Sequence, residues 1–188
     1  MIYLNWALMV PLSLLVTVLG VLLCPILPLF ASAQEGLINN VTAYGIDPRL
    51  PKWLNWFQTP DNSLNGDNGW KYEHWLWRYK LPQWLSIYVG YMGWLLRNPG
   101  QGFGFRLLIG DPIIAKWDGN VAVNDNPGVE GHCTVHCQDL FQWAWIKRIS
   151  TGKCIYCNFG WNIKGCIDGT ERVHLATFTF SPRISNWK

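Results

Sequence analysis

From Trp6 to Phe30 the chain reads WALMVPLSLLVTVLGVLLCPILPLF, 25 residues almost without a polar side chain, and the first charged side chain is Glu35. About 20 consecutive apolar residues carry a helix across a bilayer core, and a helix that is apolar all round offers no face to water. The pattern therefore predicts a single transmembrane anchor within residues 1–33. Pro25 and Pro28 lack amide donors and predict the end of that helix. The alternative is a signal peptide cut after Ala33, at Ala31-Ser32-Ala33. No Lys or Arg precedes the run, and it exceeds the roughly 7 to 15 residues of a signal core, so an uncleaved anchor is favoured. Arg49 and Lys52 follow the span while no basic residue precedes it, which leans the rest of the chain towards the cytoplasm.

Past the span the pattern changes twice. Residues 34–52 mix Gly, Asn, Asp and Pro and read as a linker. Residues 53–97 then hold seven of the thirteen Trp, an aromatic density that suits a membrane-water boundary. Within them Trp84 to Leu96 (WLSIYVGYMGWLL) predicts a short helix, interfacial or core, that stops at Arg97-Asn98-Pro99-Gly100. From about residue 112 the runs become strand-like: Leu140–Ile149, Cys154–Ile163 and Val173–Phe180 read as an antiparallel meander, with Ile113–Trp117, Val121–Val123 and Cys133–Cys137 as further short strands. Alternation along Cys154–Ile163 puts Ile155, Cys157, Phe159, Trp161 and Ile163 on the core side and Tyr156, Asn158 and Asn162 on the other. The expected class is α+β: the anchor, the linker, and one Trp-rich domain over 53–188 whose C-terminal part is β-rich.

Composition narrows the function more than it names one. At 188 residues and 49% apolar content the chain supports one domain and an appendage. A net charge of +3 supplies no basic field for a nucleic acid. The partner that composition leaves is the membrane.

Two constellations carry candidate chemistry. In Trp56-Phe57-Gln58-Thr59-Pro60-Asp61-Asn62-Ser63-Leu64-Asn65-Gly66-Asp67-Asn68-Gly69-Trp70, oxygen side chains alternate before a Gly, as in calcium loops, although the twelfth position is Tyr72. The other reading is a structural turn over Asp61, Asn62, Ser63, Asn65, Gly66 and Asp67, with the Asp61 and Asn62 side chains holding backbone amides, Gly66 turning the chain, and Trp56 and Trp70 pinning it. The second constellation is Cys133, His136 and Cys137 with Cys154-x-x-Cys157, a zinc-like spacing. Strand geometry opposes it, since Cys133 and Cys137 would lie about 13 Å apart. Core thiols are the preferred reading, so neither calcium nor zinc is expected as a cofactor. Among the six cysteines, Cys24 lies in the span, leaving an odd five that fit a reduced compartment. There is no nucleophile elbow, phosphate loop or H-E-x-x-H.

Several segments together carry a resemblance. They are Leu27-Pro28-Leu29-Phe30-Ala31, the block from Leu50 to Leu64 with Gly66-Asp67, Trp94 to Gly100 with Gly102-Phe103, Phe159-Gly160-Trp161, and Phe178-Thr179-Phe180-Ser181-Pro182-Arg183. In order and spacing they resemble an uncharacterised family of small membrane-anchored proteins of tailed bacteriophages that infect Gram-negative hosts. The resemblance implies a phage origin and a seat in the host inner membrane, and it implies no activity. The family carries an acid where Asn65 stands, so this chain departs at the oxygen that would strengthen a cation loop. With that resemblance, the leading expectation is a non-enzymatic phage accessory or structural protein that binds an unidentified phage or host envelope protein at the bilayer surface. The alternatives are a lysis or superinfection-exclusion protein and a metal-dependent hydrolase built on Asp61, Asp67, Glu73 and His74.

Overall fold

The structure, a computed structural model, describes residues 1–37, 44–67, 70, 81–108, 116–120, 123, 128–164 and 174–187. It is α+β, and it divides into two compact units, residues 11–105 and residues 1–10 with 106–188. The first break falls inside helix α1 (Ile2–Leu23), at Pro11.

In the unit of residues 11–105, α1 is long and apolar enough to cross a membrane. Only a narrow stripe of it is packed. Val16 and Gly20 are buried, and Cys24 continues the same spacing of four just past the helix end. Leu12, Leu14, Leu15, Val18, Leu19, Val21 and Leu22 are exposed. The helix ends at Leu23 ahead of Pro25, and the chain makes a 3-10 turn over Leu27–Phe30.

Residues read as linker form a hairpin instead. Strands β1 (Ser32–Leu37) and β2 (Tyr44–Arg49) pair antiparallel, with Gly36 opposite Gly45. The sequence hides this pair because Gly and Pro occupy positions where β-branched residues would announce a strand. The Gly has a packing reason: a Cβ on Gly36 would stand 2.6 Å from Arg49 Nε, so the guanidinium lies across a bare backbone. Pro48 is tolerated because a two-stranded sheet leaves each strand an open edge.

A second 3-10 turn, Lys52–Phe57, leads towards helix α2 (Gln83–Arg97). The core of the unit is Cys24, Leu27, Leu50, Leu54, Leu64, Trp94 and Leu95. Helix α2 buries Ser86, Trp94 and Leu95, while Trp84 on its first turn is 69% exposed. The Cys24 thiol donates to Met92 O at 3.2 Å and the Tyr88 hydroxyl donates to Pro25 O, so α2 is tied to the chain that leaves α1.

The other unit is a six-stranded antiparallel sheet, ordered β3-β8-β7-β6-β5-β4. Its strands are β3 (Arg106–Leu108), β4 (Lys116–Gly119), β5 (Gly131–Cys137), β6 (Leu140–Ser150), β7 (Lys153–Lys164) and β8 (His174–Asn186). Strands β6, β7 and β8 are the expected meander, β5 and β4 extend it, β3 closes on β8, and Val123, from the expected strand Val121–Val123, lies in no strand. Strand β8 passes through Pro182, opposite Cys157. Its ladder to β3 covers only His174–Ala176, so no amide is needed on the open side at Pro182.

The expected sidedness of β7 holds for only part of the strand. Cys154, Tyr156 and Asn158 are buried and Ile155, Cys157 and Phe159 are half-exposed, whereas beyond Gly160 it is Trp161 and Ile163 that are buried. Two causes coincide. Gly160 has φ +101, and the β6–β7 ladder ends there, opposite Gln142. The first turns of α1 also cover the far end of the odd-numbered face. Trp6 lies against Phe141, Phe159, Phe178 and Phe180 at ring distances of 5.8 to 6.2 Å and donates its Nε1–H to Thr179 O at 3.2 Å. On the even face, Gln142 donates to Asn158 Oδ1 at 3.1 Å and accepts the Ile163 amide at 3.0 Å, which satisfies a buried polar pair.

Candidate functional site

The polar run after Trp56 folds inwards. Gln58, Thr59, Asp61, Asn62 and Ser63 are all buried. Their hydrogen bonds return the chain to the hairpin: Leu50 N–H donates to Gln58 Oε1 at 2.8 Å, Leu64 N–H to Pro48 O at 2.9 Å, and Asn65 Nδ2 to Asp47 Oδ1 at 3.2 Å. Within the run, Gly66 N–H donates to Ser63 O at 3.1 Å and Asn65 N–H to Ser63 Oγ at 3.3 Å. Gly66 has φ +74, and a Cβ there would stand 2.7 Å from the Trp70 ring.

The oxygens of the calcium-like pattern are directed to different partners. Asp67 accepts the Trp70 amide at 2.7 Å with one oxygen and Arg97 Nη1 at 3.2 Å with the other. Asn65 is spent on Asp47, and Asp61 is one of two carboxylates whose charge acts on Arg49. The loop is a turn closed by its own side chains. Of the two expected aromatic pins, Trp70 packs on Gly66 and, at 5.8 Å, on Trp94. Trp56 is 52% exposed and instead meets Phe103 edge-on at 5.5 Å.

The segment Arg97-Asn98-Pro99-Gly100-Gln101-Gly102-Phe103 comes to the same place. The Arg97 guanidinium lies over the Trp94 ring at 5.2 Å and the Trp70 ring at 5.8 Å. Gly100, with φ +72, would place a Cβ 3.1 Å from the Thr17 backbone, and Gly20 would place one 3.4 Å from Gly100 N, so turn and helix meet backbone to backbone. A Cβ on Gly102 would overlap Asn55 O. Two of the five blocks that carry the resemblance, Leu50–Asp67 and Trp94–Phe103, are thus one packed structure with α1 and α2.

At its edge stands a residue that sequence reasoning used only as a topology charge. Arg49 is 6% exposed, and its Nη1 donates to Asn62 O at 3.1 Å. Burial pushes its pKa down from the ordinary value, while Asp47 and Asp61 act to raise it. Its Nε and Nη2 have no hydrogen-bond partner among the described residues. A buried donor left in that state costs about 1 to 3 kcal/mol. Arg49 lines a cleft of about 250 Å³ together with Gln34, Glu35, Lys52, Asn55 and Gln58. The available signal was Asp47-x-Arg49, two opposite charges on one strand face between apolar neighbours.

The zinc candidates are dispersed by strand alternation. Cys133 and Cys137 are buried on one face of β5, and His136 is exposed on the other. Cys154 is buried with Sγ 3.7 Å from Ser185 O. Cys157 is half-buried, between Trp145 and Pro182 in the ladders. Cys24, Cys133 and Cys157 are free thiols. Burial pushes the Cys133 and Cys157 pKa values up, and Asp118 adds to the rise at Cys133. Among the described residues no three His, Cys, Asp or Glu side chains converge on a point. Glu73, His74 and Cys166 lie outside the described residues.

The chain belongs to a family described as "Family of unknown function (DUF7338)", whose model matches residues 1–187. No curated protein and no solved structure matches it.

Proposed function

We propose that this protein is a non-enzymatic, membrane-anchored phage accessory or structural protein, seated in the host inner membrane by α1, which binds a partner at the bilayer surface. The observation that carries the reading is the exposure of α1. A 22-residue apolar helix keeps a nearly continuous leucine and valine surface exposed, a surface that water penalises and lipid does not. Exposed Trp53, Trp56 and Trp84 supply the rings expected at the bilayer boundary. Helix α1 also gives Trp6 to one unit and Val16 and Gly20 to the other, which supports its retention in the mature chain. The phage origin is supported by the sequence resemblance alone.

The test is expression of the full chain, alkaline carbonate extraction, and photocrosslinking in the membrane from a probe at position 84. The expected outcome is retention in the pellet and a discrete protein adduct. Recovery in the carbonate supernatant would remove the anchor, and adducts to lipid only would remove the protein partner.

A further inference from the structure

We propose that the cleft beside Arg49 binds a phosphoethanolamine group, presented as a lipid headgroup where the span leaves the membrane. This deepens the reading of the chain as a bilayer-surface protein and depends on it for the source of the ligand. The first observation is the guanidinium: Arg49 is 94% buried, lines the cleft, and has Nε and Nη2 unpartnered among the described residues. Planar N–H donors of this kind match phosphate oxygens. Lys52 lines the same cleft and is exposed, so a second cation stands at its rim.

The second observation is the balance of charge. Asp47 and Asp61 act on Arg49 from within the fold, and Glu35 lines the cleft and is exposed. Against three carboxylates, a simple anion gains little from Arg49 and Lys52. A zwitterion uses both signs: its phosphate meets Arg49 and Lys52, and its ammonium meets Glu35. Gln34, Asn55 and Gln58 add amide groups to the lining. A cleft of about 250 Å³ is of headgroup scale and too small for a lipid with its chains.

The third observation is position. Phe30, at the end of the 3-10 turn that follows α1, packs edge-on against Trp53 at 5.6 Å. Trp53 adjoins Lys52, and Gln34 and Glu35 follow Phe30 by four and five residues. Exposed Trp53, next to Lys52 of the cleft, therefore lies beside the turn that follows the apolar helix, which is headgroup depth for a spanning α1.

The experiment uses the full chain in nanodiscs of phosphatidylcholine doped with phosphatidylethanolamine or phosphatidylglycerol, with lipid retention read by native mass spectrometry after release into detergent. Free phosphoethanolamine and inorganic phosphate are titrated separately. The expected result is retention of one phosphatidylethanolamine about tenfold above phosphatidylglycerol. Glu35→Gln should erase that preference, and Lys52→Ala should weaken retention of both lipids about fivefold. Both residues are exposed, so the fold tolerates these changes. Equal retention of all lipids, insensitive to both variants, would overturn the proposal while leaving the anchor intact. Tight binding of free phosphoethanolamine by a chain that fails carbonate retention would uphold the site and overturn the membrane reading. Binding of inorganic phosphate as strong as that of phosphoethanolamine would overturn the zwitterion.

Discussion

Gly102 shows how a glycine becomes obligatory without an unusual backbone. Its hydrogens face the carbonyl oxygens of Asn55 and Gln58, and a methyl there would overlap the first of them. The clash is with backbone, which cannot rotate away, so Gly102→Ala should destabilise the unit by about 1 to 3 kcal/mol. Thermal melting in detergent checks this, with Gly152→Ala as the comparison, since no heavy atom lies within 4 Å of a Cβ there. Equal melting of the two variants would remove the argument. A second prediction concerns the thiols. Cys133, Cys137 and Cys154 are buried and Cys157 is half-buried, so among these four Cys157 should react first with iodoacetamide in the folded chain. Burial raises its pKa, so at pH 8 it holds less thiolate than a free cysteine, and its rate should go on rising above pH 9. The same shift gives the sign for stability. The neutral thiol is favoured by the fold, so its contribution is present below the ordinary thiol pKa and is lost as pH rises through and beyond it. A labelling rate for Cys157 at pH 8 equal to that of an unfolded control would contradict the shift.

At the scale of elements, β7 and the β1–β2 hairpin show where sequence patterns inform and where they do not. The three long strands were legible because aromatic and β-branched residues dominate them and turns separate them. Which side of β7 is core was not legible, because alternation assumes an unbroken strand and a single covering layer. Gly160, with φ +101, breaks the first assumption, and Trp6, read as part of a span, breaks the second. The hairpin was missed because its stabilisation is polar and remote: Arg49 reaches Asn62, and Pro48 receives the amide of Leu64. The loop from Asp61 to Asp67 was legible as a turn, since Gly66 and the short polar side chains have local roles. Arg49 gave no such signal, because its surroundings are assembled from β1, β2 and the loop. Gly160→Ala is the element-scale test. A Cβ would overlap Phe141 O and the residue would hold a left-handed φ, so the β6–β7 ladder should open at Gln142↔Gly160. Hydrogen exchange should then speed at the Ile163 amide, which donates to Gln142, with little change at Tyr156, where the ladder is regular. Unchanged protection at Ile163 would show that Gly160 is dispensable.

For the whole molecule, the decisive question is which solvent surrounds α1, and neighbouring positions answer it with opposite signs. Leu15 is 53% exposed and Val16 is 3% exposed. If the helix stood in water, Leu15→Arg would replace an exposed apolar group with a hydrated one, leaving stability within about 0.5 kcal/mol and improving solubility. In a bilayer the same change places a guanidinium near the middle of a 22-residue span, at about 2.5 to 3.5 kcal/mol on the insertion scale. The expected result is that Leu15→Arg lowers the carbonate-resistant fraction several-fold, while Leu15→Phe leaves it unchanged. Val16→Arg buries a charge inside the unit in either solvent, so it should lower the melting temperature whatever surrounds the helix. The pair separates the two causes of failure: loss of melting without loss of insertion belongs to packing, and loss of insertion with the fold retained belongs to lipid. A Leu15→Arg chain that stays in the carbonate pellet as fully as the wild type would take α1 out of the bilayer, and the headgroup at Arg49 would lose its source.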